Sequence, residues 1–193
     1  MPTQELITAC LKNDKTARRQ IYEAFYGKFS ALALRYSKSK DQSYDLVQNG
    51  FQHLFSNLSK FKLNGAQDFE TWMMEEFILF AVQYIRNIRS EYYVASTVRA
   101  GEAPEKSNDL FTENVITDYT SISPDILVRS LQQLVPSQRL VFNLHVIEEY
   151  DLRKISEVLE TSEQTVKANL EKARYNLQKN IDKNTKSKNE QLV

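Results

Sequence analysis

The sequence predicts an all-α protein of two small helical domains joined by a flexible acidic linker, on three observations. Only four Gly and four Pro occur in 193 residues, and they concentrate outside the long periodic stretches, as helices require. Apolar residues recur at helical spacing on both sides of a single long interruption. That interruption, residues 96–123, carries Gly101, Pro104 and several Ser, Thr and Asn, which is linker composition.

The domain plan follows: a helical bundle over 1–95, a linker over 96–123, a second helical domain over 124–181 and a disordered tail over 182–193. In the first domain four helical stretches are separated near Asn13, near Lys40 and over Phe61 to Asp68, where Asn64-Gly65 signals a loop. The second domain opens at Ser123-Pro124-Asp125. Ser123 is suited to cap, Pro124 to the first helical position and Asp125 to the positive end of the dipole. Leu131, Leu134, Val141, Phe142 and Leu144 then fit helices broken at Val135-Pro136. Asp151 caps a short helix bearing Ile155, Val158 and Leu159, and Ser162 caps a final long one. The last two helices, joined over Glu160 and Thr161, make a helix-turn-helix pattern.

Formal charge sums to zero, with 12 basic and 10 acidic residues up to Ala95, 2 and 6 from Ser96 to Asp125, and 11 and 9 beyond. Such balance is far from the footprint of a protein held on nucleic acid by its own charge alone. Cys10 is the only cysteine, so neither an intramolecular disulfide nor a cysteine zinc cluster is available. No apolar run approaches the roughly 18 residues of a membrane span, and the first residues lack a leader pattern, so a cytoplasmic protein is expected. His53 and His145 stand apart from convergent partners, and no phosphate-cradling loop or nucleophile motif is present. Neither a catalytic site nor a metal or cofactor is expected.

On the final helix, Val166, Leu170, Ala173 and Leu177 fall within about forty degrees of one another at one hundred degrees per residue. The opposite face carries Gln164, Thr165, Ala168, Glu171, Lys172 and Tyr175, with Lys167 and Arg174 on the flank. Small and hydrogen-bonding residues there suit close approach to a major groove, with lysines left for phosphates. The stretch Leu134 to Leu177 resembles region 4 of the extracytoplasmic-function sigma factors. It does so at Leu134, Pro136, Arg139, Val141, Phe142, Ile155, Glu157, Leu159, Ser162, Thr165, Val166, Lys167, Leu170, Ala173, Arg174 and Leu177. By that resemblance Ser162, Gln164, Thr165, Lys167, Ala168, Lys172 and Arg174 would meet a promoter's minus-35 element. Asn169 and Glu171 stand where the family commonly has Arg and His. Glu149 and Glu160 stand where it has Gly, at a cost of about 1 kcal/mol if either needs positive φ.

A second likeness lies in the first domain. Over Tyr44 to Phe51, with Leu54, Phe55 and Leu58 following, Val47, Phe51, Leu54 and Leu58 make the buried stripe. Asp45, Gln48, Asn49 and Gln52 project together from the other side. This D-L-V-Q run resembles sigma region 2.2, which implies that those four residues grip core RNA polymerase. The following helix, with Phe69, Trp72, Met73, Phe77, Phe80, Tyr84 and Ile88, resembles regions 2.3 and 2.4. By that resemblance the loop Lys60 to Asp68 receives an unstacked base of the minus-10 element, and Lys60, Phe61, Lys62, Leu79, Gln83, Arg86 and Arg89 are the candidate contacts. Trp72 and Phe77 are expected in the core. Glu76, Leu79 and Gln83 replace an apolar residue, an Asn and an Asp of the family pattern.

The resemblance therefore implies a transcription initiation factor whose partners are core RNA polymerase and promoter DNA, with an anti-sigma protein as a further candidate. Its rivals are a helix-turn-helix regulator that acts without polymerase, and a sigma-like interaction protein that no longer melts promoters.

Overall fold

Three polar residues start the first three helices. In the computed structural model, which describes residues 2–63, 65–88 and 122–190, Thr3 Oγ1 accepts from the Leu6 amide at 3.3 Å to open α1, Gln4–Leu11. Asp14 Oδ1 accepts from Ala17 N at 2.7 Å to open α2, Lys15–Tyr36. Ser39 Oγ accepts from Gln42 N at 3.2 Å to open α3, Lys40–Asn57. Each bond satisfies an amide that the first helical turn leaves without a partner. One 3-10 turn, Leu58–Lys60, leads into the loop before α4, Phe69–Asn87. The expected breaks near Asn13, near Lys40 and over 61–68 are all present, with Asn13 at φ 63° in the first of them.

The chain divides into two units at the end of α4, the first closing at Tyr84 and the second starting at Ile85. Arg89 and residues 96–121 of the expected linker lie outside the described residues. In the first unit, Phe25, Phe29, Leu32, Leu46, Leu54, Met73 and Phe77 are all but fully buried. Phe77 stacks on Phe29 with centroids 4.1 Å apart. Trp72 and Phe77 are core residues, as expected. Cys10 is fully buried, which pushes its thiol pKa up.

The second unit contains α5, Pro124–Gln132, α6, Pro136–Phe142, α7, Leu152–Leu159, and α8, Glu163–Glu190. α6 runs on through a π-helical turn, Asn143–Ile147, closed by Glu148 N donating to Asn143 O at 2.9 Å. Arg139 ties the first two helices of this unit together. Its side chain is 1% exposed and donates to the carbonyls of Gln132 at 3.1 Å and Leu134 at 2.8 Å, so the charge satisfies the orphan carbonyls at the end of α5.

Two expectations are corrected. Ser123 stands at the cap of α5, but its side chain makes no capping bond. Its carbonyl accepts from Leu127 N at 3.0 Å, and Pro124 has no amide needing a cap. The ordered chain does not end at residue 181 either, because α8 continues to Glu190. Ile181 is buried, and Asn184 Nδ2 donates to Ser130 Oγ at 2.9 Å, so tertiary contacts hold a stretch whose own apolar content is low.

Candidate protein and nucleic-acid interfaces

The first surface is on α3. Leu46, Val47, Phe51 and Leu54 are buried and fix its rotation, leaving Asp45, Gln48, Asn49 and Gln52 exposed together. Gln48 Nε2 donates to the Tyr22 hydroxyl at 3.4 Å, and Asn49 Nδ2 turns back onto the Asp45 carbonyl at 2.7 Å. Tyr44, one turn before Gln48, is 60% exposed, and Tyr26 beside Tyr22 is 40% exposed. Sequence reasoning did not assign Tyr44. The signal was its place one turn from Gln48, where an apolar ring left outside the core borders the polar face.

The second surface is the loop before α4. Gly65 N donates to Lys62 O at 2.9 Å and folds the loop back, while Lys60 and Lys62 stay exposed. Phe61, expected as a DNA contact, lines the pocket that the loop forms with α4. It is 9% exposed, edge-on to Phe69 at 5.1 Å and tilted against Trp72 at 5.5 Å, so it builds the wall of the site. Phe61 and Trp72 help line an open pocket of about 430 Å³, with Lys60, Lys62, Gly65, Ala66 and Gln67 on the loop side and Glu75, Glu76 and Leu79 from α4. Gln67 Nε2 donates to Glu75 Oε2 at 2.6 Å across the rim.

Asp68 starts α4 by accepting from Thr71 N at 2.9 Å and from the Thr71 hydroxyl at 2.6 Å. The hydroxyl bond, more than the amide one, holds its carboxyl below the usual carboxylate range. His53 is not solitary. Its ring stacks on Phe80 at 4.7 Å and its Nε2 stands 3.8 Å from Glu76, which ties α3 to the pocket wall. The structure thus gathers Lys60, Phe61, Lys62 and Leu79 around one pocket. Gln83, exposed, and Arg86, half-buried in the last turn of α4, are outside its lining.

The third surface is the helix-turn-helix of α7 and α8. Asp151 Oδ1 caps α7 through Lys154 N at 2.6 Å, and Ser162 Oγ caps α8 through Thr165 N at 3.1 Å. Between them Glu160 sits at φ 51°, and ahead of α7 Glu149 sits at φ 59°, so both glutamates occupy the left-handed conformation that favours Gly. Val166, Leu170, Ala173 and Leu177 are buried as a stripe. Ser162, Gln164, Thr165, Lys167, Lys172 and Arg174 are exposed, with Ala168 half-buried among them. Asn169 faces its own domain, donating to Thr165 O at 3.0 Å and accepting from the Ser137 hydroxyl at 3.3 Å.

Residues 21–89 match the family model of Sigma-70 region 2, and residues 125–177 match that of Sigma-70, region 4. The chain belongs to the Sigma-70 family of sigma factors. It is 23% identical over 184 residues to the ECF RNA polymerase sigma factor SigW of Bacillus subtilis, an alignment covering 94% of this chain and 97% of SigW.

Among solved structures it resembles the sigma factor RpoE of Bartonella quintana, crystallised with the anti-sigma factor NepR. The TM-score is 0.52 at 18% identity, over 85% of this chain and 96% of RpoE. It also resembles CnrH, determined with the cytosolic domain of CnrY, with TM-score 0.46 and 16% identity over 93% of this chain and 96% of CnrH. Among the described residues no helix is long and apolar enough to cross a membrane.

Proposed function

We propose that this sigma factor binds core RNA polymerase through the α3 face of Asp45, Gln48, Asn49 and Gln52, fringed by Tyr44, and directs it to two promoter elements. The pocket before α4 takes an unstacked base of the minus-10 element, with Phe61 and Trp72 as apolar wall and Lys60 and Lys62 placed for the adjoining phosphates. The exposed face of α8 enters the major groove of the minus-35 element, where Gln164 and Thr165 reach base edges and Lys167, Lys172 and Arg174 neutralise phosphates.

The observation that carries this reading is the order of two sigma regions, each presenting a polar face that its buried stripe fixes outward. Near-zero net charge agrees with it, because affinity for promoter DNA then comes largely through the polymerase, by effective concentration. Such a protein acts in the cytoplasm, and a protein of the anti-sigma kind is a fitting restraint on its exposed faces.

Run-off transcription from a promoter template with purified core polymerase tests the proposal. Transcripts that require this chain support it. A chain that binds core but yields no transcript at any promoter of the family's type would favour the sigma-like interaction protein, a reading that the apolar Leu79 in the pocket lining keeps specific. High operator affinity without polymerase would favour the stand-alone regulator.

A further inference from the structure

The region 4 match ends at residue 177, yet α8 runs on to Glu190. Beyond the match the helix is anchored on one side. Ile181 is buried, Asn180 Nδ2 donates to Ser130 O at 3.1 Å and Asn184 Nδ2 to Ser130 Oγ at 2.9 Å. These bonds fix which way the other side faces. On that side stand Lys172, Lys179, Lys183 and Lys186, all exposed.

Measured from Val166, the four lysines fall at about 200 to 260 degrees, the range that also holds Thr165 and Ala168. Glu171 and Asp182, also exposed, fall at about 140 to 160 degrees, on the edge of the same outward side as Gln164. Among the described residues none of the four lysines is in an ion pair, and Lys179 Nζ lies 4.6 Å from the centroid of the Tyr175 ring. The extension therefore prolongs the groove-facing side of α8 with a net positive line, three lysines to one Asp over 178–187.

We propose that Lys179, Lys183 and Lys186 bind DNA a second time, independently of sequence, along the phosphate backbone flanking the element that the start of α8 reads. The inference rests on the reading of α8 as the minus-35 helix. In helix-turn-helix proteins the N-terminal residues of the recognition helix reach base edges, so its far end lies toward the flanking backbone. From Lys172 to Lys186 the helix advances about 21 Å at 1.5 Å per residue, which matches roughly six phosphate steps at 3.4 Å per strand. Lysine suits such a role, being a point charge on a flexible stem that needs no fixed geometry. An acidic protein surface is the other conceivable occupant. The collinearity of the lysines with the groove-facing residues favours DNA.

The test is anisotropy of the full chain on a labelled minus-35 duplex across a salt series, for wild type, the triple variant Lys179→Gln/Lys183→Gln/Lys186→Gln, the corresponding triple Lys→Arg variant, and Lys172→Gln. The triple Gln variant should flatten the slope of log K against log salt by about two to three, at roughly 0.9 for each phosphate left unneutralised. Discrimination between minus-35 sequences should stay unchanged, and the Arg variant should keep the wild-type slope. A triple Gln slope equal to wild type, with Lys172→Gln still flattening it, overturns the inference and leaves the minus-35 reading standing. If neither variant moves the slope, both fall. An unchanged DNA slope with weakened binding to core polymerase alone assigns the stripe to an acidic protein surface, and also overturns the inference.

Discussion

Gly50 lies against the ring of Phe77 so closely that a β-carbon on Gly50 would clash with Phe77 Cε2 and come within 2.9 Å of Cδ2. The ring has nowhere to go, because it also stacks on Phe29 at 4.1 Å and 10°. A helix interior would ordinarily gain about 0.5 to 1 kcal/mol from Ala in place of Gly. Here the close packing reverses that sign.

Gly50→Ala should therefore destabilise the first domain by about 1 to 3 kcal/mol, the usual range for overpacking. Thermal unfolding followed by circular dichroism measures it. Adding Phe77→Leu to Gly50→Ala should recover part of the loss, since a shorter side chain leaves room for the new methyl. Equal or greater stability of Gly50→Ala alone would show that the packing of α3 on α4 yields without strain.

Asp45→Ala should weaken core polymerase binding more than Asn49→Ala. The Asn49 amide already turns back to its own helix, whereas the Asp45 carboxylate is exposed on the same face. Tyr44→Ala should add to the Asp45 effect, because its ring is the large apolar surface beside the face. A pull-down titration with purified core polymerase, with helical content checked in parallel, decides the order. If Asn49→Ala proves the worst of the three, the face is misassigned.

Much of this arrangement was legible in the sequence because it depends on spacing along single helices. The buried stripe of Val166, Leu170, Ala173 and Leu177, the caps at Asp151 and Ser162, and the breaks at Asn13 and Lys40 are all local in origin. What escaped is what two distant segments decide together. Nothing near Ile181 announces that Asn180 and Asn184 will find Ser130, some fifty residues earlier, and so the apolar pattern fades well before the helix ends. Likewise, the enclosure of Phe61 depends on Trp72 and Phe69 closing over it from the next helix. The left-handed turns at Glu149 and Glu160 became visible only through positions where Gly was expected, since glutamate itself gives no turn signal.

Glu149→Gly should stabilise the second domain. A left-handed conformation costs an L-residue about 1 to 2 kcal/mol, while the added freedom of Gly in the unfolded chain offsets roughly 0.4 to 1 kcal/mol of that gain. The net expectation is a gain of up to about 1.6 kcal/mol, and Glu149→Ala should not share it because alanine keeps the strain. A urea midpoint for Glu149→Gly no higher than that of Glu149→Ala would sink the argument from backbone strain and leave only a charge effect.

On the groove-facing side of α8, Glu171→Arg is the cleaner gain of charge. Replacing Asn169 would also break its link to the Ser137 hydroxyl, so the two positions are not equivalent. Glu171→Arg should tighten binding to a minus-35 duplex and steepen the log–log salt slope by about 0.9 for one further phosphate neutralised. An unchanged slope would mean that residue 171 does not face the backbone.

On the proposed reading, promoter melting would turn on Leu79 and Gln83, one helical turn apart on α4. Leu79 helps line the pocket between the loop and α4, whereas Gln83 is exposed beyond it, so the first touches whatever base enters and the second can meet only the strand alongside. An apolar side chain offers an incoming base van der Waals contact but no hydrogen bond, and the carboxylates of Glu75 and Glu76 nearby disfavour phosphates close to the rim. Open-complex formation at a promoter of the family's type should accordingly be slow. Leu79→Asn should raise it by restoring a polar partner inside the pocket, and Gln83→Asp alone should change it little. Permanganate reactivity of unpaired thymines, in polymerase holoenzyme, reads both. If the wild type already opens such a promoter fully and Leu79→Asn opens it no further, Leu79 is a tolerated wall residue and the pocket does not limit melting.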